Sequence, residues 1–564
     1  MRNAYNQGVV DTSYSFRMRR MGQLAAGMGL GLLLAAGLSA KAWGQAAGGG
    51  DQGRSTEGRG RILLVLPFDN RSGQPSLEWV REAAPEILSS RFASAGFAPM
   101  SRTDRLYALD HLGLPQGFHP SRATALKLAE TLDADSIIVG SFLTDGTGIV
   151  AEAQVVDVPH LRMSRTVTAR GEMRDLVAVF DSLAWKLTQQ LDPGFSVAEE
   201  TFVAAGAGLR VDAFEQYVRG ITEPDQQERL RHLNKAVMLS PGFGPAWMAL
   251  GREDYSGQQY EQAAAAFAKV GRGDPDELEA GFYRGLALVF SGDYPMAEQA
   301  FGGVARVLPL AEVVNNEGVA VSRQGHDGAA LFRQAMIADP NVADYHFNLA
   351  VSLKRHGDTV AALAELAQCL RLRPNDSEAA ALQTAWKAPA AHAAAGANSS
   401  ASAETKADPL ERIARNFDAV AFRQAALMLD QVEASRLAAL TPLQRAQILS
   451  GQAKDFLNRG LLLEAERLYL SAESTDGSVA DVHTGLAQVR ERTGDGDAAR
   501  KEAHAALKLA PSVDAYLVLS RLDFAGGHLD EADKEAGEAL KLEAQNGAAL
   551  ELRRQIEARE AQKK

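Results

Sequence analysis

Cysteine is nearly absent. Cys369 is the only one in 564 residues, so no internal disulfide forms and the fold must rest on buried apolar surface. Metal-site spacings are missing too. The eleven histidines are scattered, with no HExxH or CxxC run, which removes the usual zinc signatures. His346 and His356 lie ten apart, a poor spacing for two ligands on one helix face, and read as packing or surface histidines. No Walker loop, no strand–GxGxxG–helix arrangement and no G-x-S-x-G elbow occurs, so neither a phosphate cradle nor an exposed serine nucleophile is expected. Asp69 is a lone candidate after the first strand, but Asn70 and Ser72 beside it favour a turn cap. No catalytic residue, cofactor or metal is expected.

Positive charge is in the minority, with 59 basic against 71 acidic residues. The first 45 residues hold five of the basic residues and one acid, leaving 54 and 70 in the remainder. A surface of that sign repels phosphate backbones, so nucleic acid is not an expected partner. Long apolar runs are also scarce. The clearest runs from about Leu24 to Leu38, after Arg17, Arg19 and Arg20 and before Ala40-Lys41-Ala42. Positive flank, short apolar core and small-residue cleavage site mark residues 1–45 as a signal peptide. The expected location is periplasmic or secreted. An uncleaved segment anchoring the chain in the inner membrane, facing the periplasm, is the alternative, and would be the only membrane contact. Residues 46–60 are Gly-, Arg- and Ser-rich and read as a flexible spacer.

What the sequence does have is a period. Prolines recur at Pro241, Pro275, Pro309, Pro340 and Pro374, with spacings of 34, 34, 31 and 34. Between the first two stand Trp247, Leu250, Gly251, Ala263 and Phe267. Trp247 and Leu250 share one face of a first helix. Gly251 and Ala263 allow a second helix close approach, Phe267 fills the space beside them, and Pro275 ends the unit. Later units keep Gly285, Ala297, Phe301 and Pro309, then Gly318, Phe332 and Pro340, then Leu349, Ala362 and Pro374. This pattern resembles the tetratricopeptide repeat, a pair of helices that stacks into a solenoid. It predicts a first array of about five repeats over 209–387 and an Ala/Ser-rich linker over 388–408. A second array of three to four repeats with a capping helix follows over 409–564, with Ala453, Ala465, Tyr469, then Ala487, Ala499 and Pro511 in register.

Ahead of the arrays, residues 61–195 read as strands and helices in the order β-α-β-α-β-β-β-α. Ile62 to Leu66 is a continuous apolar run, as in a strand buried on both faces. A helix follows with Pro85 inside it, where a kink or restart is expected. Ser136–Leu143 and Ile149–Val156 flank a hairpin loop, and Leu161–Ala169 makes a third strand. The opening Leu66-Pro67-Phe68-Asp69-Asn70-Arg71-Ser72-Gly73 and the later Ala134-Asp135-Ser136-Ile137-Ile138-Val139-Gly140-Ser141 resemble the amino-terminal domain of TolB and related exported α+β domains. The expected fold class is mainly α: an α-α superhelix of two tetratricopeptide arrays, preceded by a small α+β domain.

Stacked helix pairs leave a concave groove lined by first helices, which takes segments of other proteins. Candidate groove residues are Met248, Arg252, Tyr255, Asn316, Phe347, Asn348, Val351 and Arg355. In some tetratricopeptide domains an asparagine at the position of Asn316 and Asn348 holds a partner's backbone; for these two, solvation or a bond to a neighbouring helix is the equal alternative. The lysines and arginines of a terminal-carboxylate clamp are not expected, because linker follows the Asn348 unit. The resemblance implies a non-enzymatic periplasmic scaffold that binds unidentified proteins through its grooves, its oligomeric state unspecified. The alternative is a component of an outer-membrane assembly or secretion complex acting through the α+β domain.

Overall fold

The computed structural model describes residues 62–115, 117, 121–144, 146–387 and 409–563. The expected signal, spacer and linker lie outside the described residues. These fall into two compact units: one holds residues 258–265 and 278–425, the other residues 62–257, 266–277 and 426–563. Among the described residues no helix is long and apolar enough to cross a membrane.

The second unit opens with the α+β domain. Its elements are β1 (Ile62–Val65), β2 (Asp69–Asn70), α1 (Val80–Ser94), β3 (Ala98–Pro99), α2 (Arg102–His111), α3 (Arg122–Thr131), β4 (Ser136–Thr144), β5 (Gly148–Asp157), β6 (Arg162–Met163), β7 (Val167–Glu172) and α4 (Leu176–Leu191). The sheet runs β3-β1-β4-β5-β6, with β2 also pairing β4 and β7 pairing β5. β1 is parallel to both its neighbours, and β4 is antiparallel to β5. The apolar run of β1 serves both faces. Leu63 and Val65 pack with α1 and α4, while Leu64 and Leu66 pack with α2 and α3.

Three local features depart from the pattern expected. α2 was not anticipated; its start is fixed by a reciprocal Ser101–Asp104 capping box. The single strand expected over 161–169 is two, because Ser164 turns in and its N–H donates to the Val155 carbonyl at 2.8 Å while its Oγ accepts from the Val155 N–H. α1 runs unbroken through Pro85. A proline leaves the carbonyl four residues earlier without its helical donor. Here that carbonyl belongs to Arg81, and the Phe68 N–H donates to it at 3.1 Å.

Beyond α4 come α5 (Glu199–Ala205), α6 (Val211–Thr222), α7 (Gln226–Leu239), α8 (Gly244–Ser256) and α9 (Tyr260–Phe267). The other unit carries most of α9 and then α10 (Glu277–Ser291), α11 (Tyr294–Val307), α12 (Ala311–Arg323), α13 (Ala329–Ala338), α14 (Ala343–Arg355), α15 (Thr359–Leu372) and α16 (Ser377–Lys387). After residues 388–408 follow α17 (Ala419–Ala438), α18 (Pro442–Asn458), α19 (Leu462–Thr475), α20 (Ala480–Thr493), α21 (Gly496–Leu509), α22 (Val513–Gly526), α23 (Leu529–Leu542) and α24 (Gly547–Lys563). The chain is mainly α, built of successive helix pairs with a small α+β domain before them.

The period has a visible physical basis. Pro241, Pro309, Pro340, Pro374 and Pro511 each stand two residues beyond the end of a second helix, after α7, α11, α13, α15 and α21. Pro275 stands farther out, beyond the turn after α9. Leu250, Ala263, Phe267, Ala297, Phe301 and Ala362 are buried. Trp247 is half-buried and its indole N–H donates to the Pro241 carbonyl at 2.8 Å, tying the helix to the turn before it. A Cβ on Gly285 would meet the Phe301 ring at 2.6 Å, and one on Gly251 would meet Phe267 at 2.7 Å. Gly-Asp pairs punctuate the turns: at Gly357 the chain takes φ +89°, and the Asp358 carboxylate then accepts from the Ala361 N–H to start α15. Asp293 and Asp495 cap α11 and α21 in the same way.

Candidate peptide groove

The first helices α12 and α14 place Asn316 and Asn348 at matching positions, both fully buried. A buried carboxamide needs partners for its oxygen and its NH2. Those partners come from an irregular stretch of the same unit, Pro409–Asp418, which we call the strap.

The contacts form a ladder. Asn348 Oδ1 accepts from the Arg412 N–H at 2.6 Å, and its Nδ2 donates to the Arg412 carbonyl at 2.7 Å. Asn316 Oδ1 accepts from the Ala414 N–H at 2.8 Å, and its Nδ2 donates to the Ala414 carbonyl at 2.8 Å. Each side chain thus does what a facing strand residue does in an antiparallel pair, exchanging both bonds with one residue. Arg412 and Ala414 are two apart, the spacing at which an extended chain presents the same edge. Asn315 braces the ladder: its Nδ2 donates to the Arg412 carbonyl at 3.2 Å, and its Oδ1 accepts from Asn348 Nδ2 at 2.8 Å.

Main-chain bonds hold any sequence; the side chains supply the selection. The Arg412 guanidinium is bidentate on Asp376, at 2.6 and 2.8 Å, and donates to Asp344 at 2.9 Å and Glu378 at 2.8 Å. Its plane lies 3.6 Å from the centre of the Phe347 ring, a cation–π contact of the kind arginine favours. These hydrogen bonds from Arg412 hold the Asp376 carboxyl at about 2, well below its ordinary range, against the opposing effect of desolvation. The preceding residue, Glu411, is 2% exposed. It meets the Arg355 guanidinium and the Ser322 hydroxyl, with Arg323 Nε 3.8 Å from its other oxygen. Arg323 and Arg355 also donate to the Glu411 and Pro409 carbonyls, at 2.9 and 2.8 Å. At the far end Phe417 packs among Phe282, Tyr283 and Phe422. Two pockets of opposite charge therefore lie side by side, the acidic one for arginine and the basic one for glutamate.

Of the residues singled out in the sequence, Asn316, Phe347, Asn348 and Arg355 touch the strap. Val351 packs in the apolar cluster with Phe347, Leu366 and Cys369, and Met248 is buried on α8, in the other compact unit. Arg252 and Tyr255 lie on α8, in the other compact unit. The strap, Asn315, Ser322, Arg323, Asp344, Asp376 and Glu378 escaped the sequence. So did the role of α16, which closes the first array within its expected bounds and whose N-terminal Asp376 and Glu378 complete the arginine pocket.

Other titratable groups among the described residues are tied into the fold. Cys369 is buried, and burial pushes its thiol up to about 11, so it is not a ready nucleophile. Glu473, His483 and Glu502 bring ligand atoms within 4.8 Å of one another, but His483 is bonded by Glu502 at 2.7 Å and by the Gly477 carbonyl at 3.1 Å. His346 repeats that arrangement with Glu365 and the Pro340 carbonyl. Both imidazoles tie a first helix to its second helix and to the turn before it.

No family model and no curated protein matches the chain. Solved structures do. YrrB, described as a TPR protein with an unusual peptide-binding site, is 16% identical, with 36% of this chain and 99% of that chain covered and a TM-score of 0.28. MamA from Desulfovibrio magneticus RS-1 is 19% identical, with 32% and 100% covered and a TM-score of 0.26. The LpoB C-terminal domain from Escherichia coli is 22% identical, with 20% and 84% covered and a TM-score of 0.19.

Proposed function

We propose that this chain is a non-enzymatic scaffold that binds partner proteins by gripping an extended segment along α12, α14 and α16. The observation that carries this reading is the pair of asparagines bonded to the main chain at alternate residues. A groove that satisfies both N–H and C=O of an extended chain is a device for holding peptide, whatever its fold neighbours do. The charged pockets beside the ladder add selection. The signal-like first 45 residues and the TolB-like segment support a periplasmic or secreted place of work, and export without disulfides agrees with the single cysteine.

The test is capture from a cell-envelope extract, with partners identified by mass spectrometry, run in parallel with the Asn316→Ala/Asn348→Ala double variant. Partners held by the wild type and lost by the variant support a groove-binding scaffold. Partners retained equally by both would move the function to the α+β domain.

A further inference from the structure

The groove holds a segment of its own chain, and that segment shows what the groove selects. Resting on the scaffold reading above, we infer that Pro409–Asp418 is an internal stand-in for the partner: the groove takes an extended polypeptide segment carrying a Glu-Arg dipeptide, and the strap occupies it until such a segment displaces it.

Three observations converge. The strap is irregular, yet both N–H and C=O of Arg412 and of Ala414 are satisfied by buried asparagines. Glu411 and Arg412 are each met by opposite charge from more than one residue of the groove, Arg323 and Arg355 for the first and Asp344, Asp376 and Glu378 for the second. Arg373 also meets Asp344, at 2.8 and 3.2 Å, and lies 3.6 Å from Asp376, so without the strap three carboxylates would share one cation while Arg323 and Arg355 would lose Glu411. The groove therefore favours an occupant with this order of signs. A hydrophobic segment would leave both pockets short of countercharge, and a uniformly charged one would leave one of them so.

A strap joined to its groove competes at an effective concentration on the order of millimolar. External affinity is therefore reduced in proportion to the fraction of time the groove is free. Partner engagement becomes a displacement, and any change that loosens the strap strengthens it.

The experiment uses the full chain and a labelled peptide with the sequence of residues 409–418, followed by fluorescence anisotropy. The peptide should bind Arg412→Ala at least tenfold more tightly than wild type, because that strap loses its arginine contacts while the groove is intact. A peptide with Glu and Arg exchanged should bind at least tenfold more weakly than the native order. In wild type, excess peptide should accelerate amide exchange at Arg412 and Ala414, a readout that needs no variant to fold. Equal binding to wild type and Arg412→Ala, with strap exchange unmoved, would overturn the inference. So would dimers that the peptide dissolves, which would make the strap a second copy's. If captured partners depend on Asn316 and Asn348 but the peptide fails to compete with them, the stand-in falls and the scaffold reading survives. If partners ignore the asparagines, the scaffold reading falls first.

Discussion

The hydroxyl of Thr201 donates to the carboxylate of Glu466, a residue 265 positions further along the chain. The same carboxylate accepts from the Ala198 N–H at 3.2 Å and pairs with Arg490, so one buried glutamate of α19 fastens the start of α5 within its unit. Desolvation raises its pKa, although Arg490 and Thr201 pull the other way. Glu466→Ala leaves Arg490 and two donors without a partner, and breaking a buried pair typically costs about 3–5 kcal/mol. The urea midpoint of the full chain should fall accordingly, and Trp185, whose indole N–H donates to the Val197 carbonyl just before α5, should report the loss by fluorescence. An unchanged midpoint would make the contact incidental.

Close approach at Gly285 gives a second prediction. Gly285→Ala places a methyl 2.6 Å from the Phe301 ring, an overpacking that costs about 1–3 kcal/mol. Phe301→Ala empties a fully buried site and should cost about 3–5 kcal/mol. Combining the two should cost less than their sum, because the alanine at 285 no longer meets the ring. Thermal melts of the three variants decide it.

Asn348→Ala removes both bonds to Arg412 and the bond to Asn315. Stranding buried amide groups costs about 1–3 kcal/mol. Amide exchange at Arg412 should accelerate by about tenfold or more, with the helix amides of α12 and α14 unaffected.

Acid should leave the strap in place over a wide range. Asp376 titrates at about 2 in the fold, below its ordinary 3.8, so its contribution is full above the ordinary value and is lost as pH falls through about 2. Protection of the Arg412 amide, corrected for intrinsic exchange, should be the same at pH 7 and about pH 5. Loss of protection at the milder pH would show that another carboxylate controls the grip.

Asp274 behaves in the opposite sense. Burial raises it to about 6, against a backbone hydrogen bond from Asp276 that lowers it, with the charges of Asp276 and Glu277 adding to the rise. The fold holds its proton more tightly than the unfolded chain does, so the associated stability is full below the ordinary value of 3.8 and is lost as pH rises through about 6. Asp274→Asn should flatten that decline, by at most about 3 kcal/mol, and urea midpoints of the two chains across the interval measure the difference.

How far the sequence could be read follows from which physical regularities leave a periodic trace. Helix pairs do: Pro309, Gly285 and Phe301 recur because each pair must stop, approach and fill in the same places. Asn316 and Asn348 stand out for the same reason, as polar residues at a position otherwise used for packing. The strap leaves no such trace. An extended segment held by its backbone needs no apolar period, and Glu411 and Arg412 look like ordinary surface charges until the helices bring Arg355 and Asp376 to them. α2 had a signal in Ser101 and Asp104, a capping box hidden by a weak apolar stripe. Pro85 misled because the cost of a proline depends on whether something else reaches the freed carbonyl, and Phe68 is close only in the folded chain.

The asparagine ladder also quantises alignment. Since only alternate residues of an extended chain offer both amide groups to one edge, a bound segment cannot shift by a single residue without turning those groups away. It moves by two or not at all. A shift of two would carry Ala414 from Asn316 to Asn348 and withdraw Glu411 and Arg412 from their pockets together. The pockets therefore choose among coarse steps rather than a continuum, and two charged side chains are enough to set one frame.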